Sequence, residues 1–187
     1  MHTLARLHQL PLDVFAELDV PYRPTWDDAM TEAALELVAQ QQRQALRAYL
    51  QAIAATTEQL QREVQPISGD PNPRNWGLRR DGSAVLFDWE RAGIGPRAFD
   101  LAITIPGLAS LEAAQQVART YLIAAGNSLS TPGEIDALTR DIVRCKVWVV
   151  AEFMATVVEQ GLALEPAYAS LWQAVPDWVA RIAKLEP

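Results

Sequence analysis

The chain has 187 residues, half of them hydrophobic, enough to enclose one sizeable core, and a single domain over residues 1–187 is expected. A formal charge of −7 without a clustered run of Lys and Arg excludes a nucleic-acid partner, because neutralising phosphates requires such a cluster. Cys145 stands alone and His2 and His8 lack cysteine neighbours at zinc-ligand spacing, so disulfide and zinc frameworks are excluded and a reducing cytoplasm fits best.

The N-terminal stretch MHTLARLHQLPLD has too short an apolar run for a signal peptide. From Thr25 to Gln65 there is neither Gly nor Pro, and Leu46, Leu50, Ile53, Thr57, Leu60 and Val64 recur at alternating spacings of four and three, which predicts helix. Within it Gln40 to Gln44 reads either as a solvated face or as a break between two helices. Pro66 is expected to end the helical region.

One hairpin is predicted next: Trp76 to Arg79 and Ala84 to Phe87 flank Arg80-Asp81-Gly82-Ser83, whose Asp-Gly pair tolerates positive φ. Gly93, Gly95 and Pro96 read as a loop, after which helical patterning resumes from about Ala98. Thr131-Pro132-Gly133-Glu134 supplies a capping threonine, a proline for the first helical position and a glutamate three residues after the cap, so a long helix should start there and stop at Gly161.

Val147 to Val158 is apolar nearly all round, which predicts a helix sheathed by neighbours. It contains Glu152 and falls short of the roughly 18 residues a membrane span needs, so a soluble protein is expected. Leu164 to Lys184 should form one or two closing helices interrupted near Pro176.

The segment that carries chemistry runs Ile67-Ser68-Gly69-Asp70-Pro71-Asn72-Pro73-Arg74-Asn75-Trp76, followed beyond the hairpin by Phe87-Asp88-Trp89-Glu90. Phosphoryl transfer needs an acceptor hydroxyl held in line with a γ-phosphate, and a divalent metal held between protein oxygens and phosphate oxygens. Asp70 suits the first task by accepting the hydroxyl's hydrogen bond. Asn75 and Asp88 offer hard oxygen ligands of the kind Mg²⁺ takes, with Glu90 as an auxiliary candidate.

These residues resemble the H-G-D-x-x-P-x-N catalytic loop and the I-D-W-E metal motif of aminoglycoside phosphotransferases and choline-kinase-like enzymes, which share the protein-kinase-like fold. The likeness continues through Arg91 to Ala102, similar to the family's G-x-x-x-x-D-L-A stretch, and Leu4-Ala5-Arg6-Leu7-His8 is similar to its L-x-x-L-H. The resemblance implies a mostly α (α+β) C-terminal lobe, helical with a short β-hairpin bearing the two motifs. It also implies Mg²⁺ and ATP, with Asp100 as a structural aspartate bracing the catalytic loop. Two positions depart from the pattern: Ser68 replaces the loop's histidine, and Arg74 replaces a small residue.

The glycine-rich strand turn and strand lysine of an ATP-binding N-terminal lobe are absent from these residues, since the only lysines are Lys146 and Lys184 in predicted helices. Weak or no catalysis by this polypeptide alone is therefore expected. The acceptor would be a small hydroxyl compound, and the acidic composition suits a cationic one. The competing reading is a non-catalytic module that uses the exposed interlobe face to dimerise or bind a partner; a third is a fragment of a longer kinase. Trp76, Trp89, Trp148, Trp172 and Trp178 are read as packing residues, with Trp172 or Trp178 as candidates to face an acceptor. His8 is read as a packed or exposed helix residue and Cys145 as a buried small hydrophobe.

Overall fold

The longest helix, α6 (Pro132–Glu159), starts on the predicted signature. Glu134 Oε2 accepts from the Thr131 amide at 2.7 Å and Thr131 Oγ1 accepts from the Glu134 amide at 3.3 Å, a reciprocal capping box with Pro132 in the first turn. Gly161, at φ 69°, follows its end. The computed structural model describes residues 1–15, 21–127, 130–162 and 166–183. Val147, Trp148, Val150, Ala151, Met154 and Val157 of α6 are buried, but Phe153 is 39% exposed and Thr156 is exposed too, so the apolar run is enclosed on most of its circumference and not all round as expected. Around it pack α2 (Asp28–Glu36), α3 (Arg43–Leu60), α4 (Arg97–Ile103) and α5 (Leu111–Ala124).

The helical stretch predicted from Thr25 to Gln65 divides. Asp27 caps α2 by accepting from the Met30 amide at 2.8 Å, and a 3₁₀ turn at Gln40–Gln42 separates α2 from α3. The glutamine run offers no apolar side chain to the core, so nothing holds it in one continuous helix. In α3 the buried residues are Leu46, Leu50, Ile53, Thr57 and Leu60, as the spacing predicts. Val64 belongs to the same numerical series but not to the helix.

Val64 opens a strand that the sequence reading missed. β1 (Val64–Ile67) pairs antiparallel with β4 (Gly93–Pro96), Pro66 opposite Ile94 and Ile67 opposite Gly93. The helix thus ends at Leu60, before Pro66, and Pro66 lies inside a strand. Proline is tolerated because β1 has a ladder partner on one side only. The stretch from Gly93 to Pro96, expected as loop, is strand for a related reason. Tyr22 runs beside it, its amide donating to Ala92 O at 3.2 Å and its carbonyl accepting from the Ile94 amide at 2.9 Å. A Cβ on Gly93 would overlap the Tyr22 backbone, so glycine here serves close backbone approach.

The predicted hairpin is present as β2 (Trp76–Leu78) and β3 (Ala84–Leu86), one residue shorter on each arm. The closing helix α7 (Pro166–Ala183) is not interrupted at Pro176. Trp172, Val175, Trp178, Val179 and Ile182 are buried along one face of it, and this packing outweighs the hydrogen bond that proline forfeits. Leu164 and Lys184, the predicted ends of this region, lie outside the described residues.

The fold is a helical α+β lobe with one small hairpin, and no helix among the described residues is long and apolar enough to cross a membrane. Trp148, Trp172 and Trp178 are core residues, Trp178 donating its indole N–H to Ala109 O at 2.7 Å, so none of these rings is open to an acceptor. Cys145 is fully buried, and burial pushes its thiol pKa well up.

Candidate active site

The site is built where β1 runs out. Ser68 and Gly69 follow Ile67, and their amides donate to the two oxygens of one buried carboxylate, Asp100, at 2.8 and 2.9 Å. Asp100 comes from α4, itself led in by β4, so the ladder that holds β1 also delivers the brace. Gly69 has φ 75°, and a Cβ there would overlap the Arg91 carbonyl oxygen. Only glycine accepts both that conformation and that contact.

The turn at Gly69 presents Asp70, half-buried, to a ring of amide donors. Asn72 Nδ2 donates to both Asp70 oxygens at 2.9 Å, while Asn75 Nδ2 donates to the Asp70 carbonyl at 2.9 Å and to its Oδ2 at 3.1 Å. Carboxylate and carbonyl accept only, so the NH₂ group of Asn75 must face Asp70 and its Oδ1 must face away. Asn75 Oδ1 has no hydrogen-bond partner among the described residues, which leaves it available to a cation. The Asn72 Oδ1 accepts from the Arg74 amide at 2.9 Å and starts the 3₁₀ turn Pro73–Asn75; Trp76 Nε1 closes the loop onto Pro71 O at 3.0 Å.

The hairpin then returns the chain to the same place. Phe87 donates its amide to Asn75 O at 2.7 Å, which puts Asp88 one residue beyond the point where the two motifs meet. Asp88 has φ 59°, the one positive-φ residue other than glycine among the described residues. An aspartate in that region is uncommon outside turns and functional sites. Asp88 and Glu90 are both exposed, and no hydrogen bond or ion pair joins either to Asp70 or Asn75. The structure thus brings Asp70 and Asn75 into contact, bonds Phe87, the residue before Asp88, to the backbone of Asn75, and leaves Asp88 and Glu90 on the surface.

Among the described residues no three His, Cys, Asp or Glu side chains converge on a metal position. The candidate set is instead one amide oxygen and one or two carboxylates. That donor set fits Mg²⁺, which keeps several waters and takes few protein ligands. Exposure of Asp88 and the free Oδ1 of Asn75 are the features that suit it.

Residues that sequence reading passed over hold this arrangement from behind. Arg91 Nη2 donates to Glu152 Oε1 of α6 at 2.6 Å and to the Tyr22 hydroxyl, and its guanidinium lies 4.4 Å from the Tyr22 ring centre. Tyr22 in turn donates to Glu152 Oε1 at 3.0 Å. Burial works against the charge of Arg91, but its bonds to Glu152 and Tyr22 outweigh that and hold its pKa above the ordinary value. The Tyr22 phenol is pushed up, by burial first and by Glu152 second. The available signal was Glu152 itself, one acid within an otherwise apolar helical run, which needs a cationic partner to be enclosed.

His8 of α1 (His2–His8), read from the sequence as a packed or exposed helix residue, is the packed one. It is buried, with Nε2 3.1 Å from Asp100 Oδ2 and Nδ1 3.0 Å from the Tyr121 hydroxyl. Lys146, read only as a helix lysine, is buried as well, with Nζ donating to Ala102 O at 3.2 Å and Ile105 O at 2.6 Å. It closes the C-terminal end of α4, the helix that carries Asp100.

Residues 1–138 of the 187 match the phosphotransferase enzyme family, APH. The structure is similar to that of aminoglycoside phosphotransferase APH(3'')-Id from Streptomyces rimosus ATCC10970, at 15% identity and a TM-score of 0.43, over 76% of this chain. The chain spans 58% of the length of that protein. No match is found among curated proteins.

Proposed function

Because the chain belongs to the phosphotransferase enzyme family, we propose that it carries the acceptor and metal half of a small-molecule O-phosphotransferase that moves the γ-phosphoryl group of Mg-ATP to an acceptor hydroxyl. The observation that supports this reading is the Asp70–Asn75 contact: a carboxylate held by two side-chain amides, with the Asn75 Oδ1 turned away from it and the residue before Asp88 bonded to the Asn75 backbone. Asp70 accepts the hydrogen bond of the acceptor hydroxyl and aims its oxygen at the γ-phosphorus. As that oxygen bonds to phosphorus, the bond to the β–γ bridging oxygen breaks, ADP leaves, and the hydroxyl proton passes late to Asp70.

Asn75 Oδ1 and the Asp88 carboxylate would hold Mg²⁺, with Glu90 as an auxiliary ligand. When bound, the ion offsets the negative charge on the phosphate oxygens. Asn72 and Asn75 keep the Asp70 carboxylate in one rotamer, so little reorganisation is needed at the moment of transfer. The net charge of −7 favours a cationic acceptor, an aminoglycoside or choline-like alcohol. The remaining contacts to nucleotide, a glycine-rich turn and a strand lysine, would come from an ATP-binding lobe.

A second reading rests on the hairpin. Leu78, Phe87 and Trp89 are 80%, 56% and 44% exposed on the elements that frame the site, an apolar surface suited to association with another protein face or a second copy. In that reading the chain binds and does not catalyse.

The test joins the chain to an ATP-binding lobe and measures acceptor-dependent ADP release. Asp70→Asn and Asp88→Ala should each abolish it, whereas undiminished turnover in both variants would remove the assigned roles. A dimer at micromolar concentration that neither binds Mg-ATP nor releases ADP would favour the second reading.

A further inference from the structure

We infer that a cavity at the end of the β1–β4 ladder farther from Asp70 is a binding site for a small zwitterion, a molecule of amino-acid size with an ammonium group at one end and a carboxylate or phosphate at the other. Val64 pairs with Pro96 at that end, so Glu63 and Gln65 from one side meet Pro96 and Arg97, the first residue of α4, from the other. The C-terminal turn of α3 and, from α6, Leu138 and Asp141 complete the wall. The cavity holds about 270 Å³, just under the roughly 300 Å³ at which pockets for drug-sized ligands begin. Strand β1, four residues long, sets it about 13 Å from the turn that leads into Asp70.

Two opposite charges line this cavity without satisfying each other. Burial pushes the Asp141 carboxyl above its ordinary pKa, against the pull of Arg144, Arg140 and Arg97, and Glu63 adds to the rise. The charge of Arg97 is therefore felt at Asp141, yet no ion pair joins the two. Asp141 Oδ1 has Arg144 Nη1 at 3.8 Å, too long for a hydrogen bond, and the carboxylate accepts none among the described residues. Arg97 leans on Tyr121, its Cζ 5.8 Å from the ring centre, and pairs with no carboxylate among the described residues.

A ligand of one charge satisfies only half of such a cavity. An anion drawn to Arg97 would also face Asp141 and Glu63, and a cation drawn to Asp141 would face Arg97 and Arg62. A molecule bearing both charges meets no such conflict. Its anionic end takes the Arg97 guanidinium, whose parallel N–H groups match a carboxylate or phosphate, and its ammonium donates to Asp141. The carbon between them lies over Leu60, Ala98 and Leu138, which form a buried apolar floor. Binding thus supplies the hydrogen-bonded partner that each partly enclosed charge lacks.

A panel of probes offered to the 187-residue chain tests this. It comprises the α-amino acids, β-alanine, γ-aminobutyrate and phosphoethanolamine, with acetate, inorganic phosphate and ethylamine as controls of a single charge. Each is screened at about 10 mM for a rise in thermal midpoint, and those that raise it are titrated by calorimetry. At least one zwitterion should bind with a Kd of about 1 mM or tighter, and about tenfold or more tightly than every control. In NMR spectra of the unsubstituted chain that probe should shift the amides of Arg62, Glu63, Arg97 and Asp141 and leave those of Asp70 and Asn75 in place. Arg97→Gln and Asp141→Asn, which keep the shape of each side chain's end, should each weaken it about tenfold or more.

Failure of every zwitterion in the panel to bind would overturn the inference. So would a control that binds as tightly as the best zwitterion, shifted amides that lie away from the cavity, or unchanged affinity in folded Arg97→Gln and Asp141→Asn. If either variant does not fold, the map of shifted amides and the ranking of the controls decide on the unsubstituted chain alone. Tighter binding of phosphoethanolamine than of the amino acids would assign the anionic end as phosphate, and the reverse order would assign it as carboxylate. No probe involves ATP, so the outcome is independent of the phosphotransferase reading.

Discussion

Gly69 lies face to face with the carbonyl of Arg91, so closely that the space of a single methyl group between them is already taken. The contact joins the loop that bears Asp70 to the segment that follows Asp88 and Glu90. Gly69→Ala must both occupy the left-handed region, at φ 75°, and displace the Arg91 backbone. The strain and overpacking together should cost about 3 kcal/mol. Urea unfolding measures this; a change within experimental error would show that the two segments are not in contact in solution.

Arg91 is held on its other side by Glu152, and cutting that link should loosen the same segment from α6. Glu152→Ala leaves a half-exposed guanidinium with the Tyr22 hydroxyl as its remaining partner, and a loss of about 1 kcal/mol is expected. Glu152→Gln retains an acceptor oxygen and should lose less. Equal midpoints for Glu152→Ala and the unsubstituted chain in a denaturant melt would show that the pair contributes nothing.

Ser68 gives a prediction of opposite sign. Its buried hydroxyl has no partner, and removing an unsatisfied polar atom from the interior recovers its desolvation cost. Ser68→Ala should raise stability by about 1 kcal/mol, read as a higher thermal midpoint, while the Asp100 clamp on the backbone amide remains. A lower midpoint would mean that the hydroxyl is bonded after all, through water.

Lys146 makes stability depend on alkaline pH. Burial lowers its pKa from the usual 10.5 to about 8. Below about pH 8 the ammonium is charged in folded and unfolded chains alike, and the burial cost is present in full. Between about 8 and 10.5 the unfolded chain still holds a proton that the folded chain has released, so the contribution of this group to stability rises with pH. The shift corresponds to on the order of 3 kcal/mol across that window. Neighbouring Cys145 works the other way: its raised thiol pKa means the unfolded chain ionises first, and its contribution falls as pH climbs. Subtracting the urea midpoint of Lys146→Met at each pH from 7 to 10 isolates the lysine, and the difference should move in favour of the unsubstituted chain. Parallel profiles would count against the low pKa.

The order D-x-x-x-x-N, hairpin, D was legible in the linear chain because local chemistry writes it: an Asx turn at Asn72, a hairpin turn stabilised by Asp81, and a capping box at Thr131 each involve residues within a few positions of one another. Helical spacing likewise gave the buried face of α3. Pro66, Gly93 and Pro96 misled because each is a breaker by local preference, and only the partner strand across the ladder makes them strand residues. The Gln40–Gln42 break and the unbroken run through Pro176 were decided by what lay against each segment, core in one case and solvent in the other.

By itself, then, the sequence determined the family and the helical class, and it singled out Asp70, Asn75 and Asp88 as the candidate set, since these rest on residue type and short spacing. Tertiary structure alone decided what holds that set still: His8 and Tyr121 behind Asp100, and Tyr22 and Glu152 around Arg91. Those partners are 61 to 130 residues apart, and their pairing follows from burial, which obliges each enclosed polar group to find a partner wherever the packed helices bring one within reach.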